Sequence, residues 1–265
     1  MKTVMTVAGS DSGGGAGIQA DLKTFAAFKV YGTTAITALT AQNTCGVEGV
    51  HNVPSAFVEK QMEAVLKDMQ VHAVKTGMLA NGEIIEAVAR TCRKWGVTGL
   101  VVDPVMVAKS GDMLLEEEAV KILKEEMLPM ASVITPNLNE VETLLQEKIT
   151  TLEQMKRAAR EIHRMGPDCV VVKGGHLEGD EAVDLLFDGS REYYSRVPRV
   201  KTSNNHGTGC TYAAALAALL AREKEVKEAF HEAHEYVHLC LQQGCNPGRG
   251  TGSLHHLSPF YMEWG

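Results

Sequence analysis

The chain has 265 residues, of which 45% are hydrophobic and 22% are charged, and its formal net charge is −7. This size suits one domain over residues 1–265 with a large buried core, and the acidic balance argues against a nucleic-acid-binding protein, which needs a basic surface. The N-terminal apolar stretch is too short for a signal peptide, and no apolar run approaches the roughly 18 residues of a membrane span. We therefore expect a cytoplasmic protein that binds neither nucleic acid nor membrane.

Short apolar runs rich in β-branched residues alternate with longer amphipathic segments along most of the chain. The pattern predicts strands over 3–8, 34–41, 73–76, 100–103, 132–135 and 169–173. It predicts intervening helices over 17–29, 54–69, 82–95, 116–127 and 152–165. Continuous apolar strands that alternate with helices indicate an α/β fold with a mainly parallel central sheet and helices on both faces.

The segment 182–197 breaks this alternation. Two strand-like runs flank Asp188 and Gly189, a dipeptide typical of a hairpin turn. We predict a small antiparallel hairpin at an edge of the sheet. Helices are predicted over 211–221 and 226–243, and the tail over 244–265 has no periodicity.

A glycine-rich turn over 9–17 follows the first strand. It is not a dinucleotide fingerprint, because the third glycine position falls on Ile18, and it is not a P-loop, because no Gly-Lys-Ser/Thr follows. The turn either is merely flexible or brings its backbone close to a ligand, with Asp11 as a polar anchor.

A second glycine-rich turn, over 206–210, precedes a segment of high helix propensity. Unpaired N–H groups and the helix dipole make such a start an anion site, and Gly207 and Gly209 would let the backbone wrap a tetrahedral group. An ordinary glycine-rich helix start is the alternative. Cys210 lies where a helix dipole lowers a thiol pKa, although a small buried residue is the other interpretation.

Three further polar residues follow predicted strands, where ligands of parallel sheets bind. Glu140, in the turn after 132–135, could hold Mg²⁺ through water. Asp103 ends the strand over 100–103, and Lys173 could set its ammonium group against a phosphate. Their common position at strand ends favours one shared site.

Together these segments resemble the ribokinase superfamily, most closely the hydroxymethylpyrimidine and phosphomethylpyrimidine kinases of its vitamin-kinase branch. The matching segments run in family order over about residues 3–220 and are 8–21, 40–44, 75–79, 102–106, 135–137, 173–176 and 206–210. The resemblance implies a ribokinase-like fold, a homodimer, and ATP with Mg²⁺ as cofactors, with a monovalent cation such as K⁺ left open. It also implies two phosphorylations in thiamin biosynthesis, first of a pyrimidine alcohol and then of its monophosphate.

The resemblance further implies residue roles. The anion hole would consist of Gly207, Thr208 and Gly209, and Cys210 would be the catalytic base, where sugar kinases have Asp. Gln42 would pair with the pyrimidine ring edge, in a substrate pocket that also contains Gly9, Asp11, Ala16, Met78 and Val105. The nucleotide and its phosphates would contact Lys173, Asn137, Glu140 and His206, and Mg²⁺ would lie near Glu140 and Asp103.

Three alternatives stay open beside this interpretation. Pyridoxal or pyridoxine kinase belongs to the same branch, and Gln42 favours the pyrimidine; a sugar kinase is disfavoured by Cys210. A non-catalytic nucleotide or vitamin sensor is disfavoured by the intact segment 207–210. Asn205 stands where the family usually has Thr, which puts a hydroxyl contact to phosphate in doubt. His231, His234 and His238 share one helix stripe and are interpreted as part of that helix face rather than as a metal site.

Overall fold

A nine-stranded sheet runs through the computed structural model, which describes residues 1–106, 115–175, 177 and 179–258. In chain order the strands are β1 (Thr3–Asp11), β2 (Tyr31–Asn43), β3 (Gly46–Asn52), β4 (Ala73–Thr76), β5 (Leu100–Val102), β6 (Val133–Ile134), β7 (Cys169–Val172), β8 (Glu181–Phe187) and β9 (Glu192–Pro198). Across the sheet their order is β3-β2-β1-β4-β5-β6-β7-β8-β9. The pairs β2–β3, β7–β8 and β8–β9 are antiparallel and the others are parallel, which confirms the mainly parallel sheet and the edge hairpin.

Helices cover both faces of this sheet, as predicted. They are α1 (Gly17–Ala27), α2 (Ser55–Asp68), α3 (Gly82–Lys94), α4 (Glu117–Ile122), α5 (Leu138–Leu145), α6 (Leu152–His163), α7 (Thr208–Ala221) and α8 (Val226–Gln242). One apolar core lies between the sheet and α2 to α6, and the other between the sheet and α1, α7 and α8. The strands feed both cores because their side chains alternate: Leu100 and Val102 enter the first core, and Val101 enters the second.

The structure corrects several predicted boundaries. The helix predicted over 116–127 is α-helical only to Ile122 and continues as a π-helical turn, Leu123–Met127. A short 3₁₀ turn follows, and Pro129 in it cannot supply the N–H that would extend an α-helix. Two elements were not predicted: β3, in which every residue is exposed, and α5, whose start is marked by a capping box of Asn137 and Glu140.

The topology gathers the predicted site residues at one edge of the sheet. Asp11 ends β1, Asp103 follows β5, Asn137 follows β6 and Lys173 follows β7, so all lie at the carboxyl ends of parallel strands. Asp11 also pairs in register with Thr40 of β2, which brings Gln42 close to it along the chain. Among the described residues, no helix is both long and apolar enough to cross a membrane.

Candidate active site

The start of α7 forms the backbone cradle that the sequence predicts. Gly207 precedes the helix with a φ of 85°, in the left-handed region that favours glycine. A side chain at Gly207 would also clash with the carbonyl oxygen of Gly15, so the glycine-rich turn after β1 and the start of α7 touch through their backbones. The first N–H groups of a helix have no partner within it, and here Thr208, Gly209 and Cys210 carry them. This geometry suits the predicted anion hole.

Asn205, which stands where the family usually has Thr, contacts the hydroxyl of Thr208. Oγ1 of Thr208 donates a hydrogen bond to the carbonyl oxygen of Asn205 at 2.7 Å. This bond runs to the backbone, which every residue type at position 205 would supply. The Asn side chain therefore does not alter how Thr208 is held.

Lys173 lies beside this helix start. Its Nζ donates to Oδ1 of Asp103 at 3.0 Å, and the hydroxyl of Thr135 donates to the same oxygen at 3.2 Å. A Cβ built on Gly209 would lie 3.3 Å from Nζ of Lys173, so the ammonium group reaches the first turn of α7. Burial opposes the charge on Lys173, but the carboxylates of Asp103 and Glu140 outweigh it and raise the pKa of Lys173. The lysine is therefore a cation beside the predicted anion hole.

Glu140 is buried behind Lys173 at the first turn of α5. Its Oε2 accepts from the backbone N–H of Asn137 at 2.7 Å, and Oδ1 of Asn137 accepts from the N–H of Glu140 at 3.0 Å. Burial raises the pKa of Glu140 to about 7, with Asp103 acting in the same direction and Lys173 against it. A bound cation would reverse this shift by favouring the charged form.

Asp103 and Glu140 fit a hydrated Mg²⁺ that is shared with phosphates. Within the described ranges, no group of three or more His, Cys, Asp or Glu side chains could hold a metal ion. Mg²⁺ is commonly bound through one or two carboxylates while substrate phosphates and water fill its other positions. The two carboxylates beside Lys173 match that donor set.

The thiol of Cys210 does not have the lowered pKa that its helix position predicted. Burial raises the pKa of Cys210 to about 11. Lys75 and a hydrogen bond from the N–H of Gly17 favour the thiolate, while Asp21 and Asp103 oppose it. Burial therefore outweighs the helix start, and the group is a neutral thiol in the free protein.

Lys75 and Asp21 form a fully buried ion pair near Cys210 that was not predicted. Nζ of Lys75 donates to both oxygens of Asp21, at 3.0 and 2.9 Å, and Oγ1 of Thr6 donates to Oδ2 of Asp21 at 2.6 Å. Both side chains are 0% exposed. A lysine inside the apolar strand β4 was the signal that could have revealed the pair, because lysine is almost never fully buried without a partner.

On the opposite side of the α7 start, Asp11 organises the glycine-rich turn. Its Oδ1 accepts from the N–H of Gly13 at 2.8 Å, and its Oδ2 accepts from those of Gly15 and Ala16 at 3.0 and 2.8 Å. Oδ2 also lies 3.0 Å from Nε2 of His206. Although burial opposes its charge, these contacts lower the pKa of Asp11. Asp11 was predicted as an anchor for the ligand, but its carboxylate is committed to the protein.

Gln42 lies between Thr40 and His206. The register of β2 and β3 shifts between Ala41 and Gln42, an irregularity of the kind that re-aims a side chain. The two ends of its amide lie 3.1 Å from Oγ1 of Thr40 and 3.2 Å from Nε2 of His206. His206 was predicted beside the nucleotide, but its ring contacts Gln42 and Asp11, both of which were predicted to line the substrate pocket.

The other predicted substrate residues lie at the ends of neighbouring strands. A Cβ on Gly9 would lie 3.2 Å from Cε of Met78, so these two residues share one wall. Ala16 immediately precedes α1, and Val105 lies two residues after Asp103, half-buried. His176, part of the matching segments, lies outside the described residues.

The C-terminal tail, to which the sequence assigned nothing, covers the glycine-rich turn. Ser253 pairs by backbone bonds with Cys245, and the N–H of Thr251 donates to the carbonyl oxygen of Thr44 at 2.8 Å. The N–H of His206 donates to the carbonyl oxygen of Gly252 at 3.0 Å. The tail thus joins the turn between β2 and β3 to the segment that precedes α7. Its lack of periodicity hid this role.

Comparisons with known proteins place the chain among its relatives. The model of the family described as phosphomethylpyrimidine kinase matches residues 11–255. The chain is 48% identical over 255 residues to the thiamine biosynthesis bifunctional protein ThiED of Geobacter sulfurreducens, covering 96% of this chain and 52%, about half, of that protein. It is 46% identical over 255 residues to the hydroxymethylpyrimidine/phosphomethylpyrimidine kinase of Bacillus subtilis, covering 96% of this chain and 94% of that enzyme.

Among solved structures, an ADP complex of Bacillus subtilis pyridoxal kinase superposes on the chain with a TM-score of 0.92. The two are 38% identical, and the match covers 98% of each chain. This likeness confirms the predicted ribokinase-like fold.

Proposed function

The chain belongs to the phosphomethylpyrimidine kinase family, and from that membership we propose that it phosphorylates 4-amino-5-hydroxymethyl-2-methylpyrimidine and then the resulting monophosphate. It is a kinase that uses ATP, and the two transfers would yield the pyrimidine diphosphate for thiamin biosynthesis. The observation that carries the proposal is the convergence of Lys173 and Cys210 on the glycine-rich start of α7. That arrangement supplies a cation, backbone donors and a proton acceptor around one transferring group.

Phosphoryl transfer has a loose transition state with negative charge on the equatorial oxygens, so catalysis is mostly positioning and electrostatic stabilisation. The backbone N–H groups of Thr208, Gly209 and Cys210 would bind those oxygens, and the ammonium group of Lys173 would balance their charge. Bound Mg²⁺, held near Asp103 and Glu140, would supply further positive charge to the phosphates. We leave a K⁺ site as a prediction.

Cys210 would accept the proton of the attacking hydroxymethyl group. A thiol whose pKa is about 11 carries its own proton at neutral pH, so that proton must first pass to solvent, and only the resulting thiolate accepts the proton of the hydroxymethyl group. The cation of Lys75 and the N–H of Gly17 both favour the thiolate and so reduce the cost of forming it.

Pyridoxal kinase is the second candidate function, favoured by the TM-score of 0.92 with a solved pyridoxal kinase. Both acceptors are flat heteroaromatic rings with a hydroxymethyl arm. Two observations favour the pyrimidine: the Gln42 amide, which suits an aminopyrimidine edge, and the 46% identity to the Bacillus subtilis pyrimidine kinase against 38% to the pyridoxal kinase of that organism.

The test is ATP-dependent ADP release with four acceptors: hydroxymethylpyrimidine, its monophosphate, pyridoxine and ribose. Turnover on both pyrimidines, above that on pyridoxine and ribose, is the expected result. Turnover on pyridoxine alone would keep the kinase and overturn its substrate. ATP binding without turnover on any acceptor would instead favour the sensor alternative.

We also infer a homodimer, supported by exposed apolar side chains near one sheet edge. Val47 and Val50 of β3 are 50% and 54% exposed, Leu39 of β2 is 47% exposed, and Phe57 of α2 is 56% exposed. β3 is an edge strand, and exposed edges of this kind pair readily with another chain. Light scattering of the wild type and of Val50→Lys tests the inference, with the variant expected to be a monomer; a monomeric wild type would contradict it. The cytoplasmic location stays a prediction.

A further inference from the structure

We propose that His206, held by Asp11, fixes the orientation of the Gln42 side-chain amide, so that the pocket selects aromatic ring edges in which an acceptor nitrogen adjoins an amino donor. The proposal rests on the proposed function, in which Gln42 faces the ring of the acceptor. It makes His206 a positioning residue for substrate specificity instead of a nucleotide contact.

The hydrogen bonds of Asp11 locate a proton on Nε2 of His206. Oδ2 of Asp11 lies 3.0 Å from Nε2 of the ring, and the same carboxylate already accepts three backbone N–H bonds. An ionised carboxylate only accepts hydrogen bonds, so Nε2 of His206 must be the donor. This holds for the neutral Nε2–H tautomer and for the charged ring alike. The other nitrogen, Nδ1, plays no part in the contact.

The N–H of His206 in turn orients the side-chain amide of Gln42. With the amide nitrogen toward His206, two N–H donors would face each other at 3.2 Å. The two ends of an amide have the same shape, so hydrogen bonding decides which end faces the histidine. A half-turn of the amide puts Oε1 beside the N–H of His206 and Nε2 beside Oγ1 of Thr40. Thr40 donates its one hydroxyl proton to the carbonyl oxygen of Ser10 at 2.9 Å, so its own oxygen can accept a hydrogen bond from the amide N–H of Gln42.

In this orientation each contact joins a donor to an acceptor: Gln42 donates to Thr40, Thr40 donates to Ser10, and the single Nε2–H of His206 is shared between Asp11 Oδ2 and Gln42 Oε1. In the opposite orientation the N–H groups of Gln42 and His206 would face each other with no acceptor between them. Losing one partly buried hydrogen bond is worth about tenfold in an equilibrium. The histidine proton therefore fixes the amide in one direction.

The fixed amide determines which ring edge of a ligand it can bind. His206 and Thr40 contact the two flanks of the amide, which leaves one N–H and one oxygen lone pair side by side at its outer end. That end matches a ring nitrogen next to an exocyclic amino group, as in an aminopyrimidine. A pyridine whose ring nitrogen and hydroxyl are separated by a methyl-bearing carbon offers no such adjacent pair. Because the order of donor and acceptor is fixed, the ring binds in only one of the two orientations that are related by turning the ring over.

A matched pair of variants tests the selectivity. His206→Leu removes the donor, whereas His206→Gln keeps an N–H near the position of Nε2. We expect His206→Leu to lower the ratio of kcat/KM for the aminopyrimidine over pyridoxine about tenfold, without changing the KM for ATP. His206→Gln should restore most of the ratio. An unchanged ratio in His206→Leu, or an equal loss in both variants, would overturn the proposal.

A spectroscopic test separates this proposal from the proposed function. In ¹⁵N-histidine-labelled protein without substrate, NMR should find Nε2 of His206 protonated from pH 6 to pH 8, whichever acceptor the enzyme uses. An Nδ1–H tautomer with bare Nε2 would overturn the proposal even if the pyrimidines are substrates. Conversely, protonated Nε2 in a protein that phosphorylates no pyrimidine would refute the function while leaving the orientation of the amide intact.

Discussion

Two lysine–aspartate pairs lie near Cys210, and they differ in what surrounds them. Lys75 and Asp21 are 0% exposed, and the hydroxyl of Thr6 donates a further hydrogen bond to Asp21. Lys173 is 11% exposed and Asp103 2%, and the lysine reaches the first turn of α7. Both ammonium groups favour a thiolate at Cys210 through their charge. The pair of Lys75 and Asp21 therefore supports the site from within the core, whereas the ammonium group of Lys173 would meet the ligand.

The largest effect on turnover is expected from replacing Cys210, whose thiol lies near both pairs. Cys210→Ala should lower kcat by about 10²–10⁴-fold, because a general base typically contributes that much. The KM for ATP should change little, since the anion hole is built from backbone. Steady-state kinetics with the pyrimidine acceptor measure both constants. Unchanged kcat would refute the assignment of Cys210 as the base.

The fully buried pair of Lys75 and Asp21 should matter most for folding. Lys75→Met leaves the Asp21 carboxylate buried and alone, and breaking a buried pair in this way costs about 3–5 kcal/mol of stability. Urea unfolding of the variant and of the wild type measures the loss. The double variant Lys75→Met/Asp21→Leu is the control and should recover most of it, since apolar replacements of buried pairs are often neutral. Equal losses in both variants would show that the pair is not the cause.

The pair of Lys173 and Asp103 beside the start of α7 should matter most for catalysis. Lys173→Met should lower kcat by about 10²–10³-fold, the usual cost of removing one group that stabilises transition-state charge. Its unfolding free energy should fall less than that of Lys75→Met, because the Lys173 side chain is 11% exposed, whereas both partners of the other pair are 0% exposed. If Lys173→Met unfolds as readily as Lys75→Met and retains its turnover, the distinction between the two pairs is wrong.

The smallest effect is a pH dependence at Glu140. Its pKa is raised to about 7 in the folded protein from an unfolded value near 4.5. The folded state therefore binds the proton more tightly, and its stability advantage is full below pH 4.5 and declines as pH rises to about 7. Glu140→Gln should remove this decline, on the order of 2 kcal/mol, in urea unfolding at pH 5 and pH 8. A parallel pH profile in wild type and variant would contradict the raised pKa.

Mg²⁺ should act on that same group in the opposite direction. Since the ion favours charged Glu140, it should stabilise the wild type more at pH 8 than at pH 6, and Glu140→Gln should lose most of this difference. Thermal unfolding with and without Mg²⁺ and a non-hydrolysable ATP analogue measures it.

Alternation of apolar strands and amphipathic helices predicted the sheet and both helical layers, because burial on two faces imposes that pattern on the sequence. It missed β3, since an edge strand with every residue exposed has no core to impose alternation. It also missed α5, whose eight residues are fewer than a periodicity needs, although its capping box was visible in the sequence.

The position of the site was predictable, while its electrostatics were not. Asp103, Asn137 and Lys173 follow strands, and parallel topology brings strand ends together. The pKa of Cys210 depends on burial and on charges from distant parts of the chain, so its helix position alone gave the wrong direction. The contacts of His206 with Asp11 and Gln42 were not predictable for a similar reason, because they join residues 195 and 164 positions apart.

A ³¹P NMR time course of the wild-type protein with ATP, Mg²⁺ and hydroxymethylpyrimidine tests the central claim most directly. We expect the pyrimidine monophosphate to appear first and then to be converted to the diphosphate, with one ADP formed for each transfer. ADP formation without a phosphorylated pyrimidine, or no consumption of ATP at all, would contradict it.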